Sequence, residues 1–374
     1  MSVTHLTAPG ERVDSEPVTL RVGVVGAGFM GRVHAEAARR AGATVVAATA
    51  SRPDRAAAAA RAVGAERGYP GVAELLGTAG VDVVHICTPN ATHAPVAAAA
   101  LAAGAHVVCE KPLATGLAEA TGLAAAAVDR VATVPFVYRF HPMVRELRAR
   151  LAAGEAGTVA TVTGSYLQDW LSRPTDDDWR VDSGLGGASR AFGDIGSHWA
   201  DLFEFVTGDR ITRLSARTAV VHERGTQQVP PTEDLAALLF TTAAGTVGTL
   251  VVSQVAAGRK NRLHLEISGT DASFAFDQED PERLWAGRRA GGQVLLRDPA
   301  TLHPSAARYV RLPAGHAQGY QDCFDAFVAD TYAAIRGEAP AGLPTFADGL
   351  RTVRVTDAVL SSAAGDGEWV EVTP

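Results

Sequence analysis

The chain has 374 residues, of which 47% are hydrophobic, and this is enough for two domains with sizeable cores. Its net charge of −7, spread without long runs of like charge, argues against a nucleic-acid or anionic-membrane partner. No apolar stretch is long and uninterrupted enough to cross a bilayer.

Residues 1–19 contain several charged residues and no apolar core, so we predict a disordered leader and not a secretion signal. The first part of the chain then alternates between short apolar runs and helical segments. The predicted strands are Leu20 to Val25, Thr44 to Ala50, Val81 to Cys87, Ala105 to Cys109 and Val131 to Val137. The predicted helices are about Arg32 to Ala41, an alanine-rich stretch ending near Val63, and Ala94 to Ala103. This alternation predicts a doubly wound parallel sheet over residues 20–140.

After residue 140 the pattern changes to alternating apolar and polar residues. The predicted strands are Thr158–Tyr166, Leu235–Phe240 and Thr246–Val255, with a loop over Val220–Thr232 and late helices at about Tyr320–Arg336 and Phe346–Ser361. Such strands are typical of an open, mainly antiparallel sheet with one solvated face. We predict an α/β second domain over residues 141–374, with its last helix packing back and the site in the crevice between domains. The open sheet would suit a homodimer or homotetramer.

A glycine turn, Gly26-Ala27-Gly28-Phe29-Met30-Gly31, joins the first strand to the first helix. In this context Gly26 permits a tight turn, Gly28 lets a pyrophosphate approach the backbone, and Gly31 allows close packing. The amides that begin the helix would face the phosphates. The turn predicts a dinucleotide site, and the alternative is a glycine-rich loop that binds nothing.

The end of the second strand usually decides between NAD and NADP, because NAD sites place an acid there. Here Ser51 and Arg52 occupy this position, and no acid occurs before Asp54. Ser51 and Arg52 can both bind a 2′-phosphate, so we expect NADP. The alternative is a solvated Arg52, with NAD accepted through Ser51.

Lys111 ends another apolar run and therefore stands at the carboxyl end of a predicted strand. Ligands of open parallel sheets gather at this edge, so Lys111 can reach the same ligand as the glycine turn. The two cysteines at 87 and 109 lie in or just after such runs, and Cys323 lies far away. Reduced core thiols and a cytoplasmic location are the expectation.

Four ordered motifs resemble the Gfo/Idh/MocA oxidoreductases, which include glucose–fructose oxidoreductase and inositol dehydrogenases. The motifs are Thr88-Pro89-Asn90-Ala91-Thr92-His93, Glu110-Lys111-Pro112, the run from Asp194 to Asp201, and Pro344 to Gly349. The resemblance implies that Lys111 orients a reacting hydroxyl, His198 accepts its proton, and Asp194 orients His198 or binds a neighbouring hydroxyl. A helix-start cap and a satisfied histidine are the alternative for Asp194 and His198. The resemblance also implies a cis peptide bond before Pro112. The cofactor would be lined by Phe29 and Met30 of the glycine turn and by Thr88, Pro89, Asn90, His93, Glu110, Lys111 and Arg180.

Tyr166-Leu167-Gln168-Asp169-Trp170, followed by Trp179-Arg180, is similar to levoglucosan dehydrogenase and related sugar dehydrogenases of that family. The similarity implies that Gln168 and Trp170 line a sugar pocket, and that Arg180 binds substrate or the nicotinamide amide. Aromatic faces and amides suit a polyol. The family often has an asparagine where this chain has Val137, which removes one polar contact and leaves the exact sugar open, and we expect Tyr138 to reach the substrate. The acidic run Asp176–Asp178 favours either a solvated loop or a cationic sugar.

The leading hypothesis is an NAD(P)-dependent oxidoreductase that acts on a secondary hydroxyl of a sugar, anhydrosugar or cyclitol. The histidines show no metal-ligand spacing, so no metal is expected. The alternatives are a glycosidase that uses NAD in a transient oxidation and a sugar-sensing regulator without turnover. Retention of Lys111, Asp194 and His198 together counts against the regulator, because a binding protein needs no proton acceptor.

Overall fold

The computed structural model describes residues 19–50, 52–224 and 231–374. The predicted leader lies outside the described residues except for Thr19, as do Ser51 and residues 225–230 of the predicted loop. Within the described helices, none is long and apolar enough to cross a membrane.

The first sheet of the described chain has six parallel strands in the order β3-β2-β1-β4-β5-β6. These strands are β1 (Arg21–Val25), β2 (Thr44–Thr49), β3 (Arg67–Tyr69), β4 (Val83–Ile86), β5 (His106–Cys109) and β6 (Ala132–Thr133). The helices between and after them are α1 (Phe29–Arg40), α2 (Ala56–Val63), α3 (Val72–Thr78), α4 (His93–Ala102) and α5 (Leu117–Ala126). All four residues of β4 are buried, as expected for a strand covered on both faces. The predicted doubly wound sheet is confirmed.

Two details of this sheet differ from the sequence prediction. The predicted strand Val131 to Val137 is only two residues long, because Pro135 has no N–H to donate to a ladder and Val137–Phe140 turns into a 3₁₀ helix. The three-residue strand β3 at the sheet edge was not predicted, since Arg67–Tyr69 is too short to show any periodicity.

The second sheet of the described chain has nine strands in the order β14-β13-β12-β11-β7-β10-β9-β8-β15. They are β7 (Val159–Leu167), β8 (Ile211–Ala219), β9 (Leu235–Thr242), β10 (Val247–Ser253), β11 (Arg262–Gly269), β12 (Ser273–Asp277), β13 (Arg283–Arg288), β14 (Gly291–Leu296) and β15 (Val370–Glu371). Neighbours run antiparallel except for β7 and β10, whose parallel pairing brings their carboxyl ends together. The prediction of an open, mainly antiparallel sheet is confirmed.

Helices cover one face of this sheet, and the other face remains exposed. The helices after residue 140 are α6 (Pro142–Ala152), α7 (Ser183–Gly186), α8 (Ser197–Thr207), α9 (Pro304–Ala307), α10 (Tyr320–Ile335) and α11 (Phe346–Ala364). Trp199 of α8 lies so close to Gly164 of β7 that a Cβ there would stand 2.1 Å from the indole. The strands show the alternating burial expected of a half-solvated sheet, with Leu239, Val247 and Val251 on the exposed face.

Late helices return to the nucleotide half, where α10 packs on α1 and α11 packs on α5. A buried ion cluster strengthens this connection, because the Arg139 guanidinium binds the carboxylates of Asp201 and Asp348. The contacts join the segment after β6, helix α8 and the start of α11. The exact division near residue 140 stays a prediction.

Candidate active site

Lys111 follows strand β5 and reaches across to the second domain. Its Nζ donates to Asp194 Oδ1 at 2.5 Å and to the Asp194 carbonyl oxygen at 2.9 Å. Both side chains are about seven-eighths buried, with exposed fractions of 13% and 15%. The Lys111–Pro112 peptide bond is cis. The structure therefore brings together two motifs that lie more than eighty residues apart, as the family resemblance implied.

Asp194 and His198 lie on a continuous helical segment that changes its pitch between them. Asp194 stands in a π turn over Phe192–Gly196, and His198 is the second residue of α8. Asp194 does not cap this helix; its Oδ1 faces Lys111 and Arg180, and its Oδ2 accepts from Gln254 at 2.8 Å. Burial alone would raise the pKa of Asp194, but the cations of Lys111 and Arg180 lower it to about 2. The carboxylate is therefore ionised throughout the physiological pH range.

The His198 ring is neutral and closely surrounded. Burial, and then the charge of Lys111, lowers its pKa to about 3. Its ring meets Tyr138 edge-on at a centroid distance of 5.0 Å and Phe136 at 5.7 Å. The buried Nδ1 has no hydrogen-bond partner among the described residues. A neutral imidazole beside an ammonium can accept a proton from a hydroxyl group that the ammonium orients.

A chain of polar side chains forms one wall beside His198. Tyr138 and Tyr166 share a hydrogen bond of 2.6 Å between their hydroxyl oxygens. The Tyr166 hydroxyl donates to Asn261 Oδ1 at 2.8 Å, and Asn261 Nδ2 donates to the Tyr138 oxygen at 3.1 Å. Gln168 Nε2 also donates to Asn261 Oδ1 at 2.8 Å, while Trp170 Nε1 donates to Gln168 Oε1 at 2.7 Å. The predicted substrate residues Tyr138, Gln168 and Trp170 thus belong to one network.

Arg180 lies at the same site. Its Nε is 3.5 Å from Asp194 Oδ1, its Nη1 donates to Asp178 Oδ1 at 3.1 Å, and its guanidinium stacks over Trp179. Asp178 also caps the short turn that carries Arg180. Within the acidic run Asp176–Asp178, Asp178 therefore has a structural role, because it orients Arg180.

The glycine turn has the geometry that its motif predicts. Gly26 has a φ of +96°, and a Cβ there would lie 2.6 Å from the Cys87 carbonyl oxygen. At Gly31 a Cβ would lie 2.0 Å from the Gly26 oxygen, whereas at Gly28 it would meet nothing within 4 Å. Phe29 and Met30 begin α1, and the Phe29 side chain is exposed. The open face at Gly28 and the amides at the start of α1 fit a dinucleotide pyrophosphate.

The second loop predicted to line the cofactor is fastened by contacts within the protein. Thr88 accepts a hydrogen bond from Thr92, and Pro89 precedes the turn Asn90–Thr92. Asn90 Nδ2 donates to the Gly186 carbonyl oxygen at 2.8 Å, so this loop touches α7 of the second domain. The buried His93 ring lies between the carbonyl oxygens of Thr88 and Pro112, at 2.9 and 2.7 Å. His93 thus braces the loop against the turn that carries Lys111, and its predicted contact with a cofactor stays a prediction.

Glu110 is buried behind Lys111 at the end of a chain of hydrogen-bonded side chains. Its Oε1 lies 3.0 Å from His34 Nε2, and its Oε2 accepts the Lys111 backbone N–H. His34 Nδ1 lies 2.9 Å from His85 Nδ1, and His85 Nε2 lies 2.9 Å from the Tyr332 hydroxyl. Burial would raise the pKa of Glu110, but the hydrogen bond from His34 and the nearby charges of His34, Lys111 and His93 together lower it. Glu110 therefore holds a negative charge beside Lys111.

At the end of β2, Arg52 forms a two-point ion pair with Asp54, with distances of 3.0 and 2.7 Å. Both side chains are mostly exposed. Ser51, the other predicted contact for the 2′-phosphate, lies outside the described residues.

The sequence analysis missed Asn261, Gln254 and Arg190, which all contribute to the site or its support. Asn261 precedes β11, and its amide donates to the Tyr138 hydroxyl oxygen. Gln254 directly follows the carboxyl end of β10, and Arg190 precedes the π turn. The signal available for Gln254 was its place at a strand end, but only the parallel pairing with β7 makes that end part of the site.

Comparisons with known proteins show a family and several similar chains. Residues 20–136 match the GFO_IDH_MocA model, an oxidoreductase family with an NAD-binding Rossmann fold, and residues 144–275 match the GFO/IDH/MocA C-terminal domain. Levoglucosan dehydrogenase of Pseudarthrobacter phenanthrenivorans is 31% identical, over 94% of this chain and 98% of its own. An inositol dehydrogenase homologue from Azotobacter vinelandii, complexed with NAD+, has a TM-score of 0.88 at 31% identity and covers 94% of this chain and 97% of that chain. Levoglucosan dehydrogenase in complex with NADH and levoglucosan has a TM-score of 0.87 at 30% identity and covers 95% and 99%.

Proposed function

Because the chain belongs to the Gfo/Idh/MocA oxidoreductase family, we propose that it transfers hydride between a nicotinamide cofactor and a secondary hydroxyl of a sugar, anhydrosugar or cyclitol. The observation that carries this proposal is the contact of Lys111 with Asp194 beside a neutral His198, at the edge of a dinucleotide-type sheet. The cluster supplies one cation to orient a hydroxyl oxygen and one base to take its proton.

The proposed roles follow from the charges at the site. Lys111 donates a hydrogen bond to the reacting hydroxyl oxygen, and neutral His198 accepts the proton of that hydroxyl. Asp194 remains ionised, holds Lys111 in place and stabilises the imidazolium that forms. Gly26, Gly28, Gly31 and the first amides of α1 would hold the cofactor pyrophosphate. Bound NAD or NADP supplies the hydride acceptor.

The substrate class is proposed from the wall beside His198. Tyr138, Gln168 and Asn261 present hydroxyl and amide groups, and Trp170 adds an aromatic face. The hydroxyls of a pyranose or cyclitol match such amides, and the C–H face of its ring packs on an indole. Relatives named for levoglucosan and inositol support this class without fixing the sugar.

For the cofactor we propose that Arg52 decides between NADP and NAD. Its guanidinium is exposed and paired only with Asp54 among the described residues, so it can turn toward a 2′-phosphate. Arg52→Ala should weaken NADP binding much more than NAD binding, as measured by calorimetric titration. Arg55→Ala, in the same turn, is the matched control. Equal losses for both cofactors would remove Arg52 as the phosphate contact.

The proposed function is tested by following reduced-nicotinamide absorbance with purified protein, NAD or NADP, and a panel of glucosides, levoglucosan and inositols. We expect an increase with at least one sugar, and its loss in Lys111→Met. Absence of any increase, although NAD or NADP binds, would contradict the dehydrogenase and favour the glycosidase or regulator.

We also propose a cytoplasmic homo-oligomer that buries the exposed face of the second sheet. Leu239, Val247 and Val251 on that face support this arrangement. Analytical ultracentrifugation should show a dimer or tetramer, and a monomer at micromolar concentration would contradict it.

A further inference from the structure

Gln254 is hydrogen-bonded through its backbone to two other segments of the chain, at Asp234 and at Leu171. Its backbone N–H donates to the Asp234 carbonyl oxygen at 3.0 Å, and its own carbonyl oxygen accepts the Leu171 N–H at 3.2 Å. The residue directly follows β10, is completely buried, and sits beside the segment that carries Gln168 and Trp170. The backbone of Gln254 is therefore tied to the predicted substrate loop.

The side chain of Gln254 lies between Asp194 and Arg190 and is hydrogen-bonded to both. Its Nε2 donates to Asp194 Oδ2 at 2.8 Å, while its Oε1 accepts from Arg190 Nη1 at 3.1 Å. A guanidinium has donors only and an ionised carboxylate has acceptors only. The two neighbours therefore allow a single orientation of the amide, with its NH₂ group toward Asp194.

Arg190 is itself fixed, so it can hold the Gln254 amide. Its guanidinium binds the Asp234 carboxylate and donates through Nε to Thr232 Oγ1 at 3.1 Å. Asp234 also accepts from Arg224, and Arg224 donates to the carbonyl oxygens of Leu171 and Arg173. Arg190, Arg224 and Asp234 are all buried. The chain of contacts starts at Asp194, passes through Gln254, and returns to the loop that carries Trp170.

We propose that Gln254 is the positioning residue that fixes the Asp194 carboxylate relative to Lys111 and the substrate loop. This inference rests on the proposed function for its effect on turnover. Lys111 and Arg180 both contact Oδ1 of Asp194, whereas Gln254 Nε2 is the hydrogen-bond donor to Oδ2 among the described residues. Without this donor the carboxylate can rotate about its Cβ–Cγ bond, and Lys111 then loses its fixed direction.

Substitution of the side chain separates positioning from substrate binding. Gln254→Leu keeps both backbone hydrogen bonds to the neighbouring loops, so KM for the sugar should change by less than about twofold. Its kcat should fall by about tenfold to a hundredfold, because misplacement of a reacting group by about 1 Å has effects of that size. Gln254→Glu places a second carboxylate against Asp194 and should move the acid limb of kcat/KM to higher pH. Gln318→Leu is the matched control, because Gln318 is also a buried glutamine whose amide oxygen and NH₂ group are both hydrogen-bonded. Its partners are the backbone N–H groups of residues 311–312 and the Tyr309 carbonyl oxygen, and not Asp194.

The sequence offers a readout that needs no sugar, because Lys111 and Lys260 are its only lysines. Protein labelled with ε-¹³C-lysine therefore gives two side-chain NMR signals, and Lys260→Arg assigns them. Gln254→Leu should shift the Lys111 signal and leave that of Lys260, which pairs with Asp169 at 2.6 Å, unchanged. Gln318→Leu should shift neither signal.

The two readouts separate the inference from the proposed function. An unchanged Lys111 signal in Gln254→Leu, or a kcat equal to that of the wild type, would overturn the positioning role. A wild-type protein that binds cofactor and oxidises no sugar would refute the proposed function, and the Lys111 signal would still decide whether Gln254 fixes Asp194.

Discussion

His198 should stay neutral, and therefore able to accept a proton, at pH values well below the ordinary pKa of a histidine. The ring must be neutral to act as a base, and burial together with Lys111 lowers its pKa to about 3. At a pH of about 5 such a group is ~99% neutral, whereas a histidine with a pKa of about 6.5 would be only ~3% neutral. Lowering the pH from about 8 to about 5 should therefore reduce kcat/KM less than about twofold through this group, compared with about thirtyfold for an ordinary histidine.

The assay combines initial rates with a titration of the ring itself. Rates with the best sugar of the panel give kcat/KM across pH, and long-range ¹H–¹⁵N spectra follow the histidine side chains of the free protein. The signal absent from His198→Asn belongs to His198. If that signal titrates near the ordinary histidine value, the burial argument is wrong, and so is the neutral base derived from it.

Three further predictions follow from the geometry of the site and its supports. Lys111→Met should lower kcat at least about a hundredfold, whereas Lys260→Met, at the other lysine, should leave kcat unchanged. Similar rates for both variants would contradict the catalytic role of Lys111. Gly31→Ala should lower both the melting temperature and the affinity for NAD, because its Cβ would stand 2.0 Å from the Gly26 carbonyl oxygen, whereas Gly28→Ala should lower the affinity alone. Wild-type affinity in Gly28→Ala would argue against a pyrophosphate beside Gly28. Arg139→Met should reduce the free energy of unfolding in urea by about 3–5 kcal/mol, since it leaves a buried carboxylate uncompensated; a loss below about 1 kcal/mol would contradict this.

The sequence predicted the elements whose signal is local. The strand before Gly26 and the turn itself follow from a contiguous pattern, and the place of Lys111 follows from one apolar run. The meeting of Lys111 with Asp194 was predicted only through the family resemblance, because no periodicity relates residues in different domains. The π turn at Asp194 was not predictable, since the spacing of four to His198 is also that of a regular helix.

The supporting residues were missed for a different physical reason. Gln254 and Asn261 act through strand pairings that are distant in sequence, so neither belongs to a motif. Asn261 is an example: from the start of β11 it brings an amide to the Tyr138 hydroxyl, which follows β6 in a different part of the chain.

The charges around His198 favour an uncharged substrate. Lys111 and Arg180 both pair with Asp194, and Arg180 also pairs with Asp178. The charge of Lys111 also interacts with the buried Glu110 carboxylate, so the charges of the two cations are largely compensated within the protein. A charged sugar would have to break one of these pairs in a site of low dielectric, at a cost that a few hydroxyl contacts do not offset. A neutral polyol needs only hydrogen bonds, which the amides of Gln168 and Asn261 and the tyrosine hydroxyls offer. We therefore expect neutral sugars and cyclitols to be oxidised in preference to their acidic or amino derivatives.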